Sequence, residues 1–415
     1  PKVSANPSPA PPGPMYVHIA RQPIFNVHKQ LFAYELLFRQ TLGLKLGELS
    51  GERATSSLLS TSFLTEDIDR IAGNHPCFVN FTADLLVRGL PGAFPSDRII
   101  VEVLEDVHPT PEVIEACRNL CDRGYLLALD DFVYDDALLP LIELAGIIKI
   151  DYRLTPAAEI EALIGRLAPY KLKFLAEKIE TYQEFEHARD LGCHYFQGYF
   201  FARPQSIRLR EVSSLKVSQI RLLAEINRPA LSAAKLEQII SADVAIAYKL
   251  LRFINSAYFS LVRKVASIRR TIIYLGETEV RRFVMLVIVS NLAADKPEEL
   301  LRLSVVRARF CELLATRGTY AAHSAELFLV GLFSLLDAIL DAPLETTMAA
   351  LPIAAEVKEA IVGRTGPLAF FLDAVVAWEE ARAEDCPPHW QRMGVDGEEV
   401  KELYLEAIRF AALID

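Results

Sequence analysis

The chain lacks any apolar run long enough to cross a membrane. Its longest, Phe283 to Val289, stops at Ser290, whereas a bilayer span needs about 20 consecutive apolar residues. A buried helix segment is expected there, and no membrane association. Cysteine is sparse: the 415 residues hold six, at Cys77, Cys117, Cys121, Cys193, Cys311 and Cys386. None shows the paired spacing of a zinc or redox motif, so the expectation is buried, reduced thiols in a cytoplasmic protein. No secretion signal is expected. The opening PKVSANPSPAPPGP is Pro-rich and polar, and residues 1–15 read as a disordered tail. Positive charge is in deficit, with 44 Lys and Arg against 54 Asp and Glu and a net charge of −10. That balance argues against a nucleic-acid partner. The deficit is uneven: Lys249 to Arg282 carries eight basic and two acidic residues, and the stretch after Asp373 is mostly acidic.

What is present is apolar material in two different rhythms. At 52% hydrophobic and 24% charged, the chain can bury sizeable cores in two or more domains. Up to Pro204, short strand-like runs alternate with helical segments. The strand candidates are Val17–Ile24, Phe32–Phe38, Cys77–Phe81, Ile99–Leu104, Tyr125–Leu129, Ile147–Ile150, Lys173–Ala176 and Tyr195–Phe201. Helical spacing marks Ala54–Ile71, Pro111–Arg123, Pro156–Leu167 and Tyr182–Leu191. Eight strands among helices in roughly 200 residues fit a closed (β/α)8-type, TIM-like barrel, with a doubly wound open sheet as second choice. After Pro204 the period-two pattern gives way to repeats at three and four, as in LEQIISADVAIAYKLLRFINSAYF. That half is expected to be all-helical, with the boundary at Pro204–Ser206.

Seven of the eight strand candidates carry a polar residue in or just after their C-terminal half: Glu35, Asn80, Glu102, Asp130 with Asp131, Lys149, Glu177 and Gln197. A barrel gathers such ends on the face where barrel active sites form. An oxygen-rich cluster of this kind is costly unless cations neutralise it, and hard divalent ions such as Mg²⁺ or Mn²⁺ prefer oxygen ligands. Two such ions, about 3.5–4 Å apart, would activate water and brace a phosphoryl group. The adjacent pair Asp130 and Asp131 alone would fit an ordinary strand-end turn; seven strands behaving alike favour a site.

At this point the segment Tyr16–Pro204 resembles the EAL domain family of cyclic di-GMP phosphodiesterases. The likeness rests on YELLFR, VNFT, VEVLE, LDDF, KID, AEKIET and GCHYFQGYFFARP, in that order. It implies metal-ligand positions at Glu35, Asn80, Glu102, Asp130 and Glu177, with Asp131 beside them. It implies that Lys149 orients the attacking water and that Gln197 lies at the rim. Arg39 matches a ligand-contacting arginine whose planar fork suits phosphate or a guanine edge. Glu180 matches a residue that steadies the loop after the aspartates. The chain departs from the pattern with Leu36 for alanine, Val133-Tyr134-Asp135-Asp136 for a small hydroxyl-rich loop, and Lys178 for glycine. The last two changes are expected to weaken metal binding and turnover.

The segment Leu236–Leu292 resembles an HDOD domain, a helical relative of the HD phosphohydrolases, through IISADVAIAYKLLRFINSAYFS and VASIRRTIIYLGETEVRRFVML; LVGLFSLLDAIL fits a later stretch. No histidine precedes an aspartate, and the helical half has only His323 and His389. Too few ligands exist for an HD metal site, so a protein-interaction module is expected across residues 205–415. Its basic residues Arg263, Lys264, Arg269, Arg270, Arg281 and Arg282 are expected to be solvated or paired with the acidic C-terminal segment. The tandem resembles bacterial EAL–HDOD signalling proteins. It implies a regulator whose barrel, residues 16–204, binds cyclic di-GMP or keeps only its shape. An active phosphodiesterase and a scaffold without nucleotide are the alternatives. A homodimer is open too, because relatives pair through the loop that follows the aspartates.

Overall fold

The computed structural model describes residues 16–41, 68, 71–203, 214–228, 231–256, 259, 265–380, 382 and 386–413. The tail, the boundary at Pro204–Ser206, Arg263, Lys264 and most of the helix expected at 54–71 lie outside the described residues. Eight strands close into a barrel in sequence order: β1 (Tyr16–Asn26), β2 (Leu31–Thr41), β3 (Cys77–Phe81), β4 (Ile99–Val103), β5 (Leu126–Leu129), β6 (Ile147–Asp151), β7 (Lys173–Glu177) and β8 (Tyr195–Gln197). Every strand candidate is present. The open sheet is excluded.

The barrel departs from regular (β/α)8 winding at its start. β1 runs antiparallel to both β2 and β8, while the pairs from β2 to β8 are parallel. The cause is local. Asn26 closes a tight turn, its Oδ1 accepting from the His28 and Gln30 amides at 2.9 and 3.0 Å. Lys29 takes a left-handed φ of 59° inside it. A parallel pair needs a crossover of a dozen or more residues; this turn permits only a hairpin.

Alternation of side chains along each strand then builds the interior in layers. Ile24, Ala33, Phe78, Ile100, Ala128, Ile147 and Leu175 form one buried apolar cluster, with Phe32 and Tyr195 packed against it. Outward residues such as Val79, Val101, Ile148, Ile150 and Phe174 join the core beneath the helices. Two residues beyond the apolar layer, each strand places a polar side chain on the same interior face.

β8 is shorter than expected. It stops at Gln197, and Tyr199–Ala202 forms a 3-10 turn. Gly198 forces the break: its φ is 142°, and a Cβ there would lie 2.0 Å from the Ile179 carbonyl oxygen.

From Ser214 onward every described element is helical. Glu298–Arg317 runs through the middle, packed by Ser324–Phe333, Gly366–Glu379 and Gly397–Ala411. Phe283–Val289 is buried within the helix Glu277–Leu292. No single helix among the described residues is long and apolar enough to cross a membrane. Deep in this half, Arg307 donates from Nε and Nη2 to Glu379 Oε2 at 2.9 and 2.8 Å. Arg281 donates to the carbonyls of Arg228 and Leu231, and Arg282 pairs with Glu279 and Glu312. Among the described residues these two arginines therefore do not pair with the acidic C-terminal segment as expected; nearer helices and loops satisfy them.

The two halves meet along the β1–β2 hairpin. The Tyr34 hydroxyl donates to Glu299 Oε2 at 2.9 Å and accepts from Arg302 Nη1 at 3.1 Å. The Arg21 guanidinium lies 4.5 Å from the Tyr34 ring centre and 4.0 Å from Glu299. β1 also packs on the helices Gly366–Glu379 and Gly397–Ala411.

Candidate functional site

The polar layer is complete around the barrel. Glu35 stands two residues beyond Ala33, Asn80 beyond Phe78, Glu102 beyond Ile100, Asp130 beyond Ala128, Lys149 beyond Ile147, Glu177 beyond Leu175 and Gln197 beyond Tyr195. The eighth strand contributes Gln22, two residues before Ile24, because β1 runs in the opposite direction. Gln22 sits opposite Glu35 in the ladder. The Gln197 amide donates to Gln22 Oε1 at 2.8 Å and to Glu35 Oε2 at 2.5 Å.

Lys149 stands at the centre, its side chain 1% exposed. Its ammonium binds Glu102, lies 2.8 Å from Asp130 and 2.9 Å from Glu177, and is 3.7 Å from Glu35. Burial opposes its charge, yet the surrounding Glu35, Glu102, Glu177 and Asp130 hold its pKa well above the ordinary lysine range. One ammonium faces four carboxylates, and burial acts unequally on them. Burial pushes Glu102 well above the ordinary carboxylate range against the pull of Lys149. Burial likewise raises Glu177 to about 7. At Asp130 the burial penalty is outweighed by the charge and hydrogen bond of Lys149, and its pKa falls.

The adjacent aspartates are tolerable because the chain turns between them. Asp130 ends on Lys149 inside the mouth. Asp131 adopts a φ of 36°, a left-handed conformation that aspartate tolerates better than most residues, and lies 3.9 Å from the Lys178 ammonium. Lys178 also binds Asp151, the aspartate of KID. Asp151 and Gln22 are site residues that strand-end reasoning missed: Asp151 because KID drew attention to its lysine, Gln22 because β1 is reversed. Lys178 itself has a φ of 58°, which costs an L-residue roughly 1–2 kcal/mol relative to glycine.

Two expected residues are not joined to the mouth by any described contact. Glu180 pairs with Arg153 at 2.6 Å and Arg203 at 2.9 Å, among β6 and β8 neighbours, and among the described residues makes no bond to the loop after Asp131. That loop closes on itself: Tyr134 donates to Asp136 at 2.9 Å, and Asp135 accepts from the Ala137 amide. Arg39 lies in β2 opposite His18, and its side chain is outside the described residues.

The donor set suits a hard divalent cation. All candidate ligands are carboxylate or amide oxygens, the preference of Mg²⁺ and Mn²⁺. Asn80 Oδ1 and Glu102 Oε2, neighbours across β3 and β4, are buried without a hydrogen-bond partner. Asp130, Asp131 and Glu177 bring carboxylate oxygens within 4.8 Å of one another, the one such trio among the described residues. A cation binding there must displace the Glu177 proton. Mn²⁺ affinity, followed by electron paramagnetic resonance, is therefore expected to be about tenfold weaker at pH 6 than at pH 8. A flat profile would contradict the raised Glu177.

A closed barrel whose mouth is ringed by oxygen donors suited to a hard cation is joined here to a helical half. Comparison with known proteins identifies it: the EAL domain model matches residues 17–204, and the HDOD domain model matches residues 212–343. A Vibrio cholerae protein named cyclic di-GMP phosphodiesterase CdgJ is 39% identical over 95% of this chain and 92% of its own length. The Bacillus subtilis protein YuxH is 34% identical over 95% of this chain and 98% of its own. A solved structure of the PaMucR phosphodiesterase with cyclic di-GMP matches at 23% identity and a TM-score of 0.38, covering 46% of this chain and 98% of that one. The chain belongs to the EAL–HDOD tandem family.

Proposed function

We propose that the barrel mouth binds cyclic di-GMP through divalent cation and slowly hydrolyses it to the linear dinucleotide, while the helical half docks a protein partner. The observation carrying this reading is the ring of polar side chains at the barrel mouth, four of whose carboxylates face one buried lysine. Bound Mg²⁺ or Mn²⁺ would supply Lewis acidity and an activated water. Glu35, Asn80, Glu102, Asp130 and Glu177 would hold the cation, with Asp131 at its outer edge. Lys149, released from part of its carboxylate shell, would hold the attacking water by a hydrogen bond. The water oxygen replaces one ester oxygen on phosphorus, and the ring opens. Arg39 and Gln197 would steady the nucleotide.

The helical half offers a partner surface of its own. Val244, Tyr248, Ile273 and Tyr274 are large apolar side chains that stand exposed, among exposed Lys249, Arg252, Arg269 and Arg270. Apolar anchors in a basic setting suit an amphipathic acidic segment.

Receptor behaviour without turnover is the second reading, favoured by Lys178 standing on Asp131. The full chain with cyclic di-GMP, with and without Mn²⁺, separates these outcomes when product is followed by chromatography. Mn²⁺-dependent product, abolished by Glu35→Ala, is expected. Tight binding without product would establish a receptor; no binding would leave a scaffold.

A further inference from the structure

We propose that Lys178 is a built-in cation that takes the outer ion position of the mouth, so that the barrel holds one divalent ion rather than a pair. This rests on the metal-dependent reading above and says how that site is loaded. Lys178 follows the last residue of β7, where the path is fixed by pairing with β8: the Ile179 amide donates to Gln197 O at 2.9 Å, and the Phe200 amide donates to Ile179 O at 3.2 Å. The resulting φ of 58° is one that glycine adopts freely and lysine does not. A strained side chain beside a ligand cluster points to a task for that side chain.

The task is visible in its contacts. The ammonium binds Asp151 and reaches Asp131 Oδ1 at 3.9 Å. Asp131 is one member of the carboxylate trio with Asp130 and Glu177, so a cation held by that trio competes with Lys178 for Asp131. The deeper donors stay open to an ion: Asn80 Oδ1 and Glu102 Oε2 are buried and unpartnered. A second divalent ion would have to displace the ammonium from Asp131 and then sit a few ångströms from its charge. Like charges at that separation repel, though solvent moderates the effect because the Lys178 and Asp131 side chains are both half-exposed. The lysine sets one positive charge against Asp131 and Asp151, and its N–H groups would face a phosphate oxygen where a second ion otherwise would.

Equilibrium dialysis of the full chain against Mn²⁺, with electron paramagnetic resonance to detect spin-coupled pairs, tests this directly. The unmodified protein is expected to bind one Mn²⁺ per chain in the mouth with no coupled signal. Lys178→Gly and Lys178→Met, the second of which removes the charge but keeps the backbone strain, are each expected to bind two. Their second ion should bind at least tenfold more tightly than any second ion on the unmodified chain. Lys178→Arg should keep one. Two coupled ions on the unmodified chain, or a single ion on both Lys178→Gly and Lys178→Met, would overturn the assignment while leaving the metal-dependent reading intact. No Mn²⁺ on any of these proteins would remove both.

Discussion

Lys149→Met is expected to cost about 3–5 kcal/mol of folding stability at pH 8 in the presence of EDTA, the range for stranding buried charges by removing one partner. For a domain of this size that is a fall in Tm of roughly 6–20 °C. The reason is the company Lys149 keeps: Glu35, Glu102, Asp130 and Glu177 all face it, and its side chain is 1% exposed. Two further signatures separate this cause from a simple packing defect. Saturating Mn²⁺ should recover much of the loss, because a divalent ion replaces the missing positive charge. Acidification should also narrow the gap. Glu177, raised to about 7 by burial, binds its proton more tightly folded than unfolded. It therefore favours the fold below the ordinary carboxylate range, and that contribution is gone once the pH has risen through 7. The repulsion that Lys149→Met uncovers follows the same course. Thermal scans at pH 6 and pH 8, with EDTA and with Mn²⁺, supply all four comparisons; a variant within about 2 °C of the parent in EDTA at pH 8 would refute the account.

Arg307→Leu should be as damaging in the helical half, by about 3–5 kcal/mol, without any response to Mn²⁺. Arg307 and Glu379 are 5% and 3% exposed, and their bidentate contact joins the central helix to Gly366–Glu379. Losing the arginine leaves a carboxylate in apolar surroundings that already raise its pKa. The double variant Arg307→Leu, Glu379→Leu should be markedly more stable than Arg307→Leu alone, because no unpaired charge remains. Urea unfolding of the parent, the single and the double variants measures this. Equal midpoints for the single and double variants would show that packing, not charge, sets the cost.

The barrel was legible because its code is short-range. Period two, with an apolar residue followed two positions later by a polar one, repeats in β2 to β8 and marked seven interior positions. The same rule failed for Gln22 only through direction, since nothing in YVHIARQPIFN announces an antiparallel strand. The signal was the four-residue gap to β2, too short for a crossover. β8 was overextended because FQGYFF continues the apolar run, and only the close approach of Gly198 to Ile179 breaks it. The partners of Glu180 were not legible for another reason: Arg153 and Arg203 arrive from separate strand ends. The left-handed backbone at Asp131 and Lys178 is a tertiary consequence of neighbouring strands, and local propensity opposes it.

The β1–β2 hairpin belongs to both halves at once. One of its faces supplies Gln22 and Glu35 to the mouth; the other buries Arg21 and Tyr34 against Glu299 and Arg302. Cutting the chain between the halves would therefore hand solvent a phenol and a guanidinium from one fragment and the Glu299–Arg302 pair from the other. A barrel expressed by itself would carry an altered wall next to its own ligands, and kinetic constants measured on such a fragment would describe a different molecule.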